Sequence, residues 1–285
     1  MENMKLREQF IRDMELKGFA KSTKKSYLSC VICYVKHYNE NPIELGEEEI
    51  KEYLFWMAKE GRSKTHLNQS YSALRFLYET TLKRDWESYK IPRSKKKKRL
   101  PVALSQNEMY TLITETKNLK HKAIFSVMYS GGLRISETMN LKTDDIDSKS
   151  MRIYVSDGKG SKDRYTILSN TALDDLRKYC KIYRITESYL FKGSDPEVAL
   201  ANRTVQRVFQ NMKEQHSLNK RATVHSIRHS FATHMLESGV SIHHLQKLMG
   251  HTQVQTTSRY LHISNISALQ IESVQDKLFG FNKDL

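Results

Sequence analysis

Apolar residues recur at helical spacing through the first ninety positions of the chain. Leu6, Phe10 and Met14 repeat every four residues until Gly18 interrupts them. Ser22 then fits the N-cap of a helix that carries Tyr27, Val31, Tyr34 and Tyr38 on one face. A third stripe runs from about Glu47 through Ile50, Tyr53, Leu54 and Met57 to a stop at Gly61. The fourth begins near Ser63 and carries Leu67, Tyr71, Leu74, Leu77 and Tyr78. Stripes of this width are core faces rather than cofactor contacts, so residues 1–90 are predicted to form a small four-helix domain.

The periodicity ends at IPRSKKKKRLP. Pro92 and Pro101 bracket Arg93, Lys95 to Lys98 and Arg99, with Lys90 just ahead. Prolines and a block of like charge do not continue a helix, so 91–101 is predicted to be an extended basic linker. A solvated hinge and a strap that tracks phosphates both fit it.

From residue 102 the pattern mixes helix and strand. Ser105-x-x-Glu108 is a capping box at a helix start. A helical stretch through Lys122 to Tyr129 stops at Gly131-Gly132, and another begins around Ile135. Met151 to Val155 and Arg164 to Leu168 alternate like strands around the turn Asp157-Gly158-Lys159-Gly160. After Phe191 the pattern is helical nearly to the end. The expected fold is mainly α with a small β-sheet, an α+β arrangement of two domains.

Composition narrows the class. Hydrophobic residues make up 39% of the 285, as in a globular protein. No run approaches the roughly 18 apolar residues that cross a bilayer. The start, MENMKLREQF, has no apolar stretch of a signal peptide, and a cytoplasmic location is expected. Cys30, Cys33 and Cys180 suggest no disulfide framework, and Cys30-x-x-Cys33 lies within a predicted helix without a second ligand pair for zinc. Charge is more telling. Forty-seven Lys and Arg against 32 Asp and Glu leave a formal +15. Such an excess attracts polyanions, nucleic acid first, although a basic non-binding protein or one drawn to acidic membranes has the same balance.

Five clusters could carry chemistry: GGLRISE (131–137), DGKGSKDR (157–164), HSIRHSFATH (225–234), LMGHTQ (248–253) and TTSRYLH (256–262). Each has an ordinary explanation alone. The GKG turn lacks the spacing of a nucleotide-binding P-loop. His225, His229 and His234 could be read as metal ligands, but no carboxylate or cysteine accompanies them at ligand spacing. Together the clusters meet the needs of breaking a phosphodiester without metal. Arginine forks bind phosphate oxygens and keep their charge. A tyrosine can attack, though with a pKa of about 10 it needs help losing its proton. An imidazole supplies that help near neutral pH, and a lysine can protonate the leaving oxygen. Arg134, Lys159, His225, Arg228, His251 and Tyr260 provide a candidate for each role.

In order and spacing, GGLRISE, the GKG hairpin, H-x-x-R-H at 225–229, LMGH and a tyrosine nine residues after His251 resemble the tyrosine recombinase (phage integrase) family. The resemblance is strong over 101–262, and the N-terminal helices are similar to that family's SAM-like core-binding domain. It implies that Arg134 and Arg228 clamp the scissile phosphate and that Lys159 is the general acid, with Lys162 as a rival. It implies that His225 assists proton transfer at the tyrosine, that His251 bonds the phosphate and that Tyr260 becomes linked to a 3′ phosphate. Glu137 would orient Arg134. Neither ATP nor metal is implied. The partner would be duplex DNA held in a two-domain clamp, by a homotetramer on synapsed sites.

The same resemblance divides the chain into a core-binding domain (1–90), the basic linker (91–101) and a catalytic domain (102–285) with a C-terminal exchange helix. The exchange helix would carry Ile266, Leu269, Ile271, Val274 and Leu278. Because the helical module starts almost at Met1, no separate arm-binding domain is expected. No long insertion lies between Asp195 and His225. This compact layout is closest to Xer-like recombinases and small mobile-element integrases, and RYLH after TTS leans towards the latter. A type IB topoisomerase-like relaxase and a catalytically inactive DNA-binding regulator are the alternatives.

Overall fold

The computed structural model describes residues 2–86, 93, 101–156, 163–195 and 197–261. The chain divides into two compact units, Met1–Lys98 and Arg99–Leu285. Lys159, Lys162, most of the basic linker and the apolar stripe from Ile266 to Leu278 lie outside the described residues. Among those described, no helix is long and apolar enough to cross a membrane.

In the first unit, helices α1 (Glu2–Leu16), α2 (Lys21–Tyr38), α3 (Glu47–Lys59) and α4 (Lys64–Phe76) are followed by a π-helical turn, Leu77–Thr81. The predicted stripes face one core, in which Phe10, Met14, Tyr34, Ile50, Tyr53, Met57, Leu74 and Leu77 are buried. Buried phenols need partners. The Tyr34 and Tyr78 hydroxyls lie 3.2 Å apart, and Tyr78 donates to the Pro42 carbonyl at 2.9 Å. Ser63 caps α4 by accepting from the His66 N–H. Ser22 does not cap α2. The chain leaves the left-handed Gly18 for an extended Ala20, so the helix starts at Lys21 and Ser22 falls inside its first turn.

The second unit opens with α5 (Gln106–Thr114), where the capping box forms in both directions between Ser105 and Glu108. Helix α6 (Leu119–Gly131) runs through the core. Ala123, Ile124, Phe125, Val127 and Met128 have no exposed surface, which accounts for its apolar residues on every side. After α7 (Ile135–Asn140) comes a three-stranded antiparallel sheet in the order β1 (Ile146–Asp147), β2 (Arg152–Val155), β3 (Arg164–Ile167). In β2, Ile153 and Val155 alternate into the core. Helices α8 (Asn170–Tyr183), α9 (Asn202–Gln215), α10 (Val224–Glu237), α11 (Ile242–Met249) and α12 (Val254–Ser258) complete the unit. β1 and α8 are additions to the elements read from the sequence.

Gly132 fixes where α6 ends relative to α10. Its φ of 59° is left-handed, and a Cβ on it would lie 2.2 Å from the Phe231 ring. Gly132→Ala therefore meets backbone strain and overpacking together, and should cost about 2–4 kcal/mol. A lowered urea midpoint with an unchanged slope would report it.

Candidate active site

The site is assembled around one carboxylate. Glu137 occupies the first turn of α7, where its Oε2 accepts the Arg134 backbone N–H at 2.7 Å. Its side chain is 6% exposed and serves three guanidinium groups. Arg134 Nη1 donates to Oε1 at 2.5 Å. Arg164, at the start of β3, engages both oxygens, Nη1 to Oε1 at 3.1 Å and Nη2 to Oε2 at 2.9 Å. Arg228 Nη1 lies 3.5 Å from Oε2. Burial alone would raise the Glu137 pKa. The hydrogen bonds and charge of Arg164, the Arg134 N–H and the charge of Arg228 outweigh burial and bring it down to about 2.

Arg228 is the deepest of the three, 1% exposed on α10. It donates from Nη1 to the Gly132 carbonyl and from Nη2 to the Met249 carbonyl, both at 2.6 Å. Its Nη2 also lies 3.1 Å from His251 Nε2. Burial, then the charges of Arg134 and Arg164 against the opposing help of Glu137, press its pKa to about 9, so it stays charged at neutral pH. Arg134 is the most open of the set at 23% side-chain exposure.

His251 follows Gly250, whose φ of 64° ends α11. A Cβ on Gly250 would lie 2.8 Å from Arg164 Cδ, so the glycine admits the arginine as well as the turn. Because an arginine only donates, the contact with Arg228 makes His251 Nε2 an acceptor. The ring is then neutral, and Nδ1–H points to Thr257 Oγ1 at 2.9 Å. Burial and the charges of Arg228, Arg134, Arg164 and Arg259 push its pKa down to about 3, which agrees with the neutral tautomer.

Tyr260, 3% exposed, follows the short α12 and packs with Phe231, Ala232, Leu245 and Met249. Its hydroxyl lies 3.0 Å from His229 Nδ1. His225, one turn earlier on α10, sets its ring edge-on to His229 with centroids 4.8 Å apart. Burial raises the Tyr260 pKa against the lowering charges of Arg228, Arg259 and Arg134. His225 is exposed at the rim; desolvation first, then Arg228 and Arg134, lowers its pKa.

Five of the six residues singled out from the sequence, Arg134, His225, Arg228, His251 and Tyr260, thus fall in one cluster, and Lys159 lies outside the described residues. Three further residues belong with them. Arg164 ends the cluster 157–164, Thr257 lies within TTSRYLH and His229 closes H-x-x-R-H, yet the sequence assigns none of them a role in the reaction. His229 could have been found from its spacing, since positions four apart share a helix face. His234, the third histidine of that cluster, is bonded to the Tyr129 hydroxyl at 2.7 Å.

Comparison with known proteins gives two family matches: the phage integrase family over residues 88–265, and the phage integrase N-terminal SAM-like domain over residues 6–88. The Sinorhizobium fredii protein y4qK, of the integrase/recombinase class, is 37% identical over 91% of this chain and 84% of its own length. The tyrosine recombinase XerA of Pyrococcus horikoshii is 33% identical over 92% of this chain and 90% of its own. In fold, the chain is similar to the Tn1549 transposon integrase solved with transposon right end DNA. The TM-score is 0.71 at 16% identity, covering 96% of this chain and 97% of that one.

Removing the central carboxylate leaves three buried or half-buried guanidinium groups facing one another. Glu137→Gln should cost about 3–5 kcal/mol in urea unfolding. The pH dependence has a defined sign. A folded-state pKa of about 2 is depressed from the ordinary carboxylate value, so this stabilisation is complete above about pH 5 and lost as pH falls towards 2. Over that interval the native protein should lose about 3 kcal/mol more than Glu137→Gln does.

Proposed function

This chain belongs to the phage integrase family, and we propose that it is a site-specific tyrosine recombinase that cuts and rejoins duplex DNA through Tyr260. The observation that carries this reading is the gathering of Arg134, Arg228 and His251 in one cluster, with the Tyr260 hydroxyl held by His229 of the same helix as Arg228. The cluster has an excess of fixed positive charge over its single carboxylate, which suits a phosphodiester. The sequence matches speak against the topoisomerase and inactive-regulator alternatives, since the relatives are integrases and recombinases.

The residues divide the reaction as follows. Arg134 and Arg228 hold the non-bridging oxygens, and His251 joins them from the same side through an Nε2–H once Arg228 turns from that nitrogen to the phosphate and the Thr257 hydroxyl donates to Nδ1. Tyr260 Oη attacks phosphorus as its proton passes to the histidine pair His229 and His225 beside it, the bond from phosphorus to the 5′ oxygen breaks, and Lys159 gives that oxygen a proton. The tyrosine ends linked to a 3′ phosphate. A 5′ hydroxyl from the partner duplex then attacks phosphorus and releases the tyrosine. One phosphate ester replaces another at each step, so no external energy source enters the balance.

Exchanging two duplexes breaks four strands, and each chain carries one such tyrosine, so four copies act together on two paired sites. The lysines and arginines of 91–101 suit a strap that follows DNA phosphates. The apolar stripe from Ile266 to Leu278 is the segment suited to join neighbouring copies. The run RYLH after TTS favours movement of a genetic element over the resolution of chromosome dimers.

Two experiments test the assignment. Covalent adducts trapped on genomic DNA, washed in denaturant and sequenced, define the site; a nicked duplex built on that site should then trap the protein irreversibly. Tyr260→Phe should abolish the adduct while DNA binding persists, and an adduct surviving in that variant overturns Tyr260 as nucleophile. Lys159→Ala should slow cleavage about 10²–10⁴-fold, as expected for loss of a general acid. A 5′-bridging phosphorothiolate, whose sulfur leaves without a proton, should restore the rate. Equal slowing on both substrates would exclude Lys159 from that role.

A further inference from the structure

His229 is the one titratable side chain in hydrogen-bond contact with the Tyr260 hydroxyl among the described residues. His225, which the family resemblance nominates for proton transfer at the tyrosine, makes no hydrogen bond to it there and touches it only through the His229 ring. We propose that His229 is the base of the reaction: its Nδ1 holds the Tyr260 hydroxyl and takes its proton as the bond to phosphorus forms. This rests on the reading of Tyr260 as nucleophile.

Geometry comes first. A general base must lie within about 2.6–3.2 Å of the atom whose proton it removes. Nδ1 stands 3.0 Å from Tyr260 Oη, and the ring centroids are 5.6 Å apart, so the nitrogen faces the oxygen rather than the face of the phenol. With the hydroxyl donating, Nδ1 accepts and the ring proton sits on Nε2. The balance is simple. Tyr260 Oη bonds to phosphorus, its proton passes to Nδ1, and the broken bond is that to the 5′ oxygen. In rejoining, the tyrosine leaves phosphorus and recovers the proton from the same nitrogen.

Electrostatics fits that cycle. Burial, then His225, Arg228 and Arg259, lowers the His229 pKa to about 4, so the imidazole is unprotonated and its lone pair is free to accept throughout the neutral range. His225 and Arg228 face it from its own helix, and Arg259 and Tyr260 from the segment after α12. The same surroundings make it a weak base in the absence of DNA. A phosphate held by Arg134 and Arg228 brings a negative charge into this positive field and raises its proton affinity at the moment of reaction. His225, edge-on to His229 and exposed at the rim, is placed to pass the proton outwards.

The test measures single-turnover adduct formation on the nicked duplex defined above. His229→Asn keeps an oxygen acceptor near the Nδ1 position but cannot take a proton; His229→Gln is the second variant should Asn fold poorly, with urea midpoints as the check. His225→Gln runs in parallel. The expected result is a fall of about 10²–10⁴-fold at pH 7 for the His229 variant, with DNA affinity unchanged. Its rate should climb about tenfold per pH unit between 7 and 9, because attack then needs a phenolate made by solvent, whereas the native rate stays nearly flat there. An unchanged rate overturns the proposal. A slowed rate with the native pH profile also overturns it, because a residue that only positions the phenol would produce that result. The steep profile appearing in His225→Gln and not in the His229 variants would transfer the role to His225. Adduct formation by Tyr260→Phe would instead refute the nucleophile assignment, leaving the question about His229 without its premise.

Discussion

The active-site half of this molecule depends on a single buried carboxylate shared by three arginines. Glu137 gathers them from near and far along the chain: Arg134 three residues away, Arg164 from β3 and Arg228 from α10. Guanidinium groups this close repel one another, and burial strengthens the repulsion. One carboxylate compensates part of that charge. Enough is left uncompensated to bind an anion, which is the property a phosphate-handling site needs. A second acidic residue would make the cluster more stable and less useful. Stability and function are therefore set by the same count of charges.

Backbone carbonyls share with Glu137 the orientation of two of the arginines. Arg228 is pinned by the carbonyls of Gly132 and Met249, the ends of α6 and α11. Arg164 is pinned by the Leu248 carbonyl at 2.9 Å. The last carbonyls of a helix have no partners within it, and the negative end of the helix dipole favours a cation there. Two helix ends thus hold two of the cations, while left-handed glycines at Gly132 and Gly250 turn the chain away sharply enough to admit them. Packing and electrostatics meet at Gly250, whose missing side chain leaves the space that the Arg164 stem fills.

How much of this could be read beforehand depended on whether a feature was local. Helix stripes, the Ser105–Glu108 box and the Gly131–Gly132 stop are written in neighbouring residues, and the helices formed where those signals placed them. Ser22 misled because a capping side chain is only one way to start a helix, and the turn at Gly18 started α2 earlier. β1 has two residues, too few for any alternation to show. Arg164 was illegible for another reason: its partner is 27 positions away, and nothing in a strand sequence announces an ion pair closed by tertiary folding. His229 was legible in principle, being one turn from His225, but a histidine becomes a base only through what the fold sets against it.

The short segment from Gly250 to Tyr260 ties the arginine cluster to the tyrosine proposed as nucleophile. His251 faces Arg228 through Nε2 and Thr257 through Nδ1. Thr257 in turn accepts, through its carbonyl, the backbone N–H of Tyr260 at 3.0 Å. A phosphate that shifts Arg228 or His251 by a fraction of an ångström is therefore felt at the tyrosine through three consecutive polar contacts. The same path runs in reverse, so the segment that carries the buried phenol steadies His251 while no DNA is bound. Since His251 can bridge Arg228 and Thr257 together only as the neutral tautomer, protonating it would break the link at its Arg228 end. The low pKa imposed by the surrounding arginines keeps the ring neutral, and that link intact in the DNA-free protein, throughout the neutral range.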